Sequence, residues 1–248
     1  ALKAGGSLGD SAEAVASDGV GGVIVAGYFY GEATFGGVTL TSGGGSDAFV
    51  MRVDSSGTPL WAVKAGGASA DSALAAASDG AGGAIVAGRF TGACTFGSAV
   101  LTSGGGGDVF VMRVDAAGAI QWAVRAGGSA DDSATAITSD GAGGALVAGH
   151  FEGSATFGAS TLSSGGGKDL FVMHVDGAGA VGWVTAAGGP ADITGGGIAV
   201  DGAGGALVTG SLAGTVSFGA VSLTSSGGTD AFVARLALPP PPSPPPSP

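Results

Sequence analysis

One stretch, DAFVMRVDSSGTPLW at Asp47–Trp61, returns as DVFVMRVDAAGAIQW at Asp108–Trp122 and as DLFVMHVDGAGAVGW at Asp169–Trp183. A fourth copy opens at Asp230 as DAFVARLA and then runs into proline. The interval is 61 residues each time: Phe49, Phe110, Phe171 and Phe232 share one register, and Phe35, Phe96, Phe157 and Phe218 another. Asp18, Asp79, Asp140 and Asp201 share a third. Four tandem copies of one unit therefore make up nearly the whole chain. Tandem repeats of this kind form arrays in which a unit cannot bury its own apolar face and stacks on its neighbours.

The repeat decides how the composition is read. Glycine supplies 54 of 248 residues, and only 11% are charged, a balance that without periodicity would suggest low complexity. Here the glycines recur in register beside β-branched and aromatic residues, which means turns and close backbone approach. The formal net charge of −11 and the absence of a basic stripe disfavour nucleic acid and anionic membrane surfaces as partners. The longest uncharged run, 202–229, is rich in Gly, Ser and Thr and holds no continuous apolar span of about 20 residues. Ala1 begins inside the repeat register, and no signal peptide is visible, so the sequence reads as an already processed form. Cys94 is the single cysteine; its equivalents are Ala33, Ala155 and Val216, which makes it a buried small residue.

Within the unit, the pattern is that of strands. Ser11–Asp18 and its copies are short runs of small residues ending in Asp-Gly. Gly22–Phe29, GVIVAGYF, is the most apolar run and reads as a strand buried on both faces, entered by a tight glycine turn. Thr34–Ser42 reads as a small hairpin, ending in the glycine loop Gly43–Gly45. In Asp47–Asp54, Phe49, Met51 and Val53 share one face and Val50 and Arg52 the other. Leu60–Gly67 closes the unit. About four antiparallel strands per repeat, without helical periodicity, is the pattern of a β-propeller blade.

The termini extend this reading. Ala1–Gly6, ALKAGG, aligns with AVKAGG at Ala62–Gly67, the last strand that the fourth copy lacks. The expectation is therefore an all-β, four-bladed propeller over residues 1–238, with repeats 4–64, 65–125, 126–186 and 187–238 plus 1–6. The N-terminal strand would close the ring, with the Ala- and Gly-rich strands innermost. Residues 239–248, PPPPSPPPSP, exclude helix and ladder and favour an extended polyproline II rod.

GIAVDGAGGALVTG at Gly197–Gly210 and the element at Asp47–Trp61 resemble the bacterial and algal β-propeller repeat called SBBP, over residues 1 to about 238. Rings of that family usually have seven blades and this chain holds four copies, so blade number does not transfer; nor does the family bring catalytic chemistry. SPPPSP is similar to the hydroxyproline-rich shafts of pherophorin-like green-algal extracellular matrix glycoproteins. That resemblance implies a secreted protein, with modification at Pro239, Pro240, Pro241, Pro242, Ser243, Pro244, Pro245, Pro246, Ser247 and Pro248.

The polar residues favour structure over chemistry. Asp18 and its copies read as the Asp of an Asp-Gly turn bonding its own backbone. Asp47, Asp108, Asp169 and Asp230 follow glycine loops and read as loop-fixing hydrogen-bond acceptors, since no Asp-rich loop offers the six to eight oxygens a hard cation wants. No metal ligands or cofactor are assigned; an axial cation on backbone carbonyls is the one such group the pattern admits. His150 and His174 interchange with Tyr, Arg and Ser across copies, which does not suit a general base, and no Ser-His-Asp arrangement is suggested. No catalytic residue is assigned. The binding candidates are Tyr28, Tyr30, Arg89, His150 and Glu152, positions that differ between copies in an otherwise near-identical segment. The expectation is a non-enzymatic extracellular structural protein, a propeller head on a proline-rich glycosylated shaft, self-assembling or joined to other matrix glycoproteins. The alternative is a glycan- or protein-binding propeller module.

Overall fold

A computed structural model describes residues 1–202 and 205–237. The proline-rich segment, with its expected polyproline II conformation and every assigned modification position, lies outside the described residues. The described chain is all-β. After the short β1 (Gly5–Gly6), the first repeat supplies β2 (Ser11–Ser17), β3 (Val23–Phe35), β4 (Val38–Val53) and β5 (Pro59–Gly67). The second supplies β6 (Ser72–Ser78), β7 (Ala84–Phe90), β8 (Ala93–Phe96), β9 (Ala99–Thr102), β10 (Asp108–Val114) and β11 (Ile120–Gly128). The third supplies β12 (Ser133–Ser139), β13 (Ala145–Phe151), β14 (Ser154–Phe157), β15 (Ser160–Ser163), β16 (Asp169–Val175) and β17 (Val181–Ala187). The fourth has β18 (Ile193–Val200), β19 (Gly205–Phe218) and β20 (Val221–Ala237).

Each complete repeat is an antiparallel meander, β6–β7–β10–β11 in the second and β12–β13–β16–β17 in the third. The fourth stops at three strands among the described residues. The hairpin β8–β9 does not join its own meander. It pairs instead with the end of the preceding outer strand, Gly66 with Thr95 and Gly67 with Cys94. Gly127 and Gly128 pair with Thr156 and Ala155 in the same way. The glycine pair at the end of each repeat is thus a crossover that stitches one repeat to the next.

The expected closure by the N-terminal strand is not seen among the described residues. Gly5 and Gly6 pair with Thr34 and Ala33 of β3, as the other glycine pairs do with the hairpin that follows them. Ala1–Ala4 form no strand, and among the described residues no ladder joins residues 1–6 to β20. The glycine half of ALKAGG thus does what the glycine half of AVKAGG does, whereas its first four residues, unlike Ala62–Ala65, have no strand partner among the described residues.

Strand alternation sends each sheet's two faces into different cores. In β10, Phe110, Met112 and Val114 pack with Ile24, Ala26 and Val50 of the first repeat. Val109 and Val111 pack with Val147, Phe171 and Met173 of the third. Leu170 and Val172 in turn meet Val208 and Phe232 of the fourth. The registered phenylalanines meet within each repeat: the rings of Phe90 and Phe96 lie 5.7 Å apart and those of Phe96 and Phe110 5.0 Å apart. Such edge-on and tilted contacts add to the area they bury. The first strands β2, β6, β12 and β18 touch in succession, and their Ala, Ser and Gly side chains permit that approach.

Candidate functional site

The recurrent carboxylates are tied into the backbone. Asp79 Oδ1 accepts hydrogen bonds from the N–H groups of Ala81 (2.8 Å) and Gly83 (2.8 Å), which fastens the Asp-Gly turn. Its Oδ2 pairs with Arg113 at 3.0 Å. Burial raises its pKa, but those N–H groups and the guanidinium outweigh burial and hold it below the usual carboxylate range. The same pair recurs as Asp18–Arg52 and Asp201–Arg235, and as Asp140–His174, with His174 Nε2 2.9 Å from the carboxylate. Asp108 likewise accepts from Gly104 N–H at 3.1 Å and pairs with Arg125.

The Arg also reaches across to the next repeat. Arg52 Nη1 donates to Ala116 O at 3.3 Å, and Trp61 Nε1 donates to the same oxygen at 3.0 Å. Arg113 and Trp122 repeat this on Gly177 O, at 3.5 Å and 3.0 Å. A third acid was not singled out in the sequence. Asp71, buried, accepts from Gly67 N–H (2.8 Å), Thr91 N–H (3.0 Å) and the Cys94 thiol (3.1 Å), and so clamps the crossover. Burial and this carboxylate push the Cys94 pKa well up, and the thiol sits in the core as expected.

One concave site gathers residues that differ between copies. A cavity of about 320 Å³ opens where the second and third repeats meet, lined by Arg89, Asp131, Asp132, Ser133, His150 and Lys168, among others. Arg89 stands near the end of β7 and His150 near the end of β13, so both reach the same end of their sheets. Arg89 Nη2 lies 2.6 Å from Asp131 Oδ1, which also accepts from Gly107 N–H at 2.8 Å. Arg89 Nε and His150 Nδ1 are buried atoms without a hydrogen-bond partner. Burial, helped by the charges of Lys168 and Arg89, lowers the His150 pKa to about 4. Asp132 accepts from Gly128 N–H and Glu152 N–H, and its burial raises its pKa to about 6.

Of the binding candidates, the structure brings Arg89 and His150 together. Tyr28 and Tyr30 remain on the first repeat, ring to ring at 6.0 Å and perpendicular. Glu152 enters through its backbone N–H on Asp132 and through its charge, which adds to the rise in the Asp132 pKa. The comparison of copies that picked out Arg89 also distinguishes Lys168, whose equivalents are Ser46, Gly107 and Thr229, and Asp131, whose equivalents are Gly9, Ala70 and Asp192. Two cations, two carboxylates and a neutral imidazole suit a polar, hydroxyl-bearing ligand. Among the described residues, no three His, Cys, Asp or Glu side chains cluster to hold a metal ion. No helix among them is long and apolar enough to cross a membrane.

A scan against protein-family models and a search of curated proteins found no match to the chain.

Proposed function

We propose that the chain is a non-enzymatic structural protein whose four repeats pack as the blades of a propeller about a shared axis. Its proline-rich C-terminus would leave this head as a glycosylated shaft in an extracellular fibril or matrix. The observation that carries the reading is how the recurrent side chains are used. Trp61, Trp122, Arg52 and Arg113 each reach from one repeat to a carbonyl of the next, and the repeated aspartates fasten turns and crossovers. Successive contact of β2, β6, β12 and β18 supports a common axis for the blades. The shaft, the extracellular location and the SBBP likeness rest on residues quoted from the sequence. Intact-mass and glycopeptide measurement of the protein isolated from its source tests this reading. Hydroxylated, glycosylated prolines between Pro239 and Pro248 are expected; unmodified prolines in native material reject the shaft.

The cavity at Arg89, His150 and Lys168 favours a second reading, a glycan- or protein-binding module. Glycans binding to the head, with loss of binding on Arg89→Ala combined with Lys168→Ala, would establish it. Equal binding by the double variant would remove the cavity from consideration.

A further inference from the structure

We infer that the first repeat of one copy and the fourth repeat of a second copy bind each other, head to tail, through a junction of the kind that joins consecutive repeats inside the chain. The inference deepens the structural reading and rests on its repeat-stacking part alone.

Three internal junctions define what each face meets. In every one, the face carrying Val50, Val111 or Val172 is covered by the next repeat, and these valines are 0%, 0% and 1% exposed. Their counterpart in the fourth repeat, Val233, is 71% exposed. Leu207, counterpart of the buried Ile24, Ile85 and Leu146, is 40% exposed. The opposite type of face is open at the other end of the molecule. Val15 and Val23 of the first repeat are 69% and 37% exposed, whereas Ala84, the counterpart of Val23, is fully buried and Ala76, the counterpart of Val15, is partly buried against the first repeat. Val23, with Val25, Met51 and Val53, borders a groove of about 690 Å³, edged by Ala1–Ala4.

The groove has the features of an internal junction with its partner missing. At the first two internal junctions a tryptophan lies over a glycine of the next repeat's turn. A Cβ on Gly118 would come 2.9 Å from the Trp61 ring, and one on Gly179 would come 2.9 Å from Trp122. The equivalent Gly57 borders the groove and has nothing within 4 Å of such a Cβ. The carbonyl matching Ala116 and Gly177 is that of Ser55, and the side chain matching Arg52 and Arg113 is Arg235, on the open face of the fourth repeat. An arginine facing that carbonyl completes the polar part of the contact. The two faces are thus complementary and of opposite type, so the contact is heterologous and generates chains or rings of copies. The register of the junction tryptophan falls at Pro244 in the fourth repeat, so a copy-to-copy junction lacks one anchor that the first two internal ones have. Reversible association, weaker than the internal stacking, follows.

The test is the mass of the full-length protein by size exclusion with light scattering, at about 0.15 M salt to screen the repulsion of acidic copies. Concentrations should span about 1 µM to about 1 mM, where weak contacts dissociate. The average mass of the unaltered protein is expected to rise with concentration. Val233→Glu blocks one face and Val23→Glu the other. Each is expected to weaken association at least about tenfold, because a carboxylate would be buried unpaired. An equimolar mixture of the two variants retains one good face from each, and is expected to give dimers and nothing larger. Thermal melts check that each variant folds, and Leu207→Asp replaces Val233→Glu if the latter does not. A protein that stays monomeric throughout, including by closing its two ends on each other, overturns the inference. So does association that survives Val233→Glu, or a mixture that stays monomeric. Glycosylated prolines on a strictly monomeric head would sink this junction and leave the structural reading; an assembling head with an unmodified tail would do the reverse.

Discussion

At the scale of single residues, the fold is held by carboxylates that serve the backbone. Asp79 satisfies two turn N–H groups and an arginine from a buried position, so Asp79→Ala leaves those donors unpaired. It is expected to cost roughly 2–3 kcal/mol in chemical denaturation, the scale of losing buried hydrogen bonds including a charged one. His150 supplies a pH dependence. Its pKa in the fold, about 4, lies below the ordinary 6.5, so the stability it permits is fully present above pH 6.5 and is lost as pH falls through about 4. Asp132 acts in the opposite sense. Its pKa is raised to about 6, so its contribution is fully present below its ordinary pKa of 3.8 and is lost as pH rises through about 6. In His150→Phe the histidine's contribution is removed and those of the aspartates remain. The variant's melting temperature should fall less than the unaltered protein's between pH 7 and pH 4, and an identical pH profile would contradict the burial assigned to this histidine.

At the scale of elements, the junction turn is where packing and conformation can be separated. Gly118 and Gly57 hold nearly the same φ, +87° and +88°, but only Gly118 lies under a tryptophan. Gly57→Ala is expected to cost about 1–2 kcal/mol from left-handed backbone strain alone. Gly118→Ala should cost clearly more in the same urea titration, because its Cβ meets the Trp61 ring; equal costs would remove the tryptophan from the junction. Trp61 itself is buried between the first two repeats and hydrogen-bonded to Ala116 O. Trp61→Ala is expected to cost about 3–5 kcal/mol. Trp122 is only half-buried, so Trp122→Ala should cost less.

At the scale of the whole molecule, the ends behave differently from the middle. The paired residues of the N-terminal segment are Gly5 and Gly6, on Thr34 and Ala33. Deletion of residues 1–6 should therefore raise amide exchange around Ala33 and Thr34 and leave β20 unchanged. Increased exchange along β20 would restore the closure by the N-terminal strand expected from the sequence. Stability in such an array is a sum of repeats and junctions, so an end defect stays local while a change at a middle junction is felt by both neighbours.

The 61-residue period, the strand alternation in 47–54 and the Asp-Gly turns were legible from the sequence alone. Each is local: a pleat has period two, and an aspartate bonding the N–H two residues on needs no distant partner. The two faces of that strand, Phe49 with Met51 and Val50 with Arg52, were separable for the same reason. What lay beyond local rules was where each face goes. Asp18 and Arg52 are 34 residues apart, and Trp61 and Ala116 are 55 apart; nothing in either stretch names its partner. The segment ALKAGG shows the same limit: its glycines make the same crossover in either reading, and whether Ala1–Ala4 pair with the fourth repeat is a matter of tertiary structure alone. Arg89, His150 and Lys168 converge because the repeats stack side by side, which turns positions 61 residues apart into neighbours across a junction. Periodicity is a property of the chain, whereas adjacency between repeats is decided by how their apolar faces are buried in three dimensions.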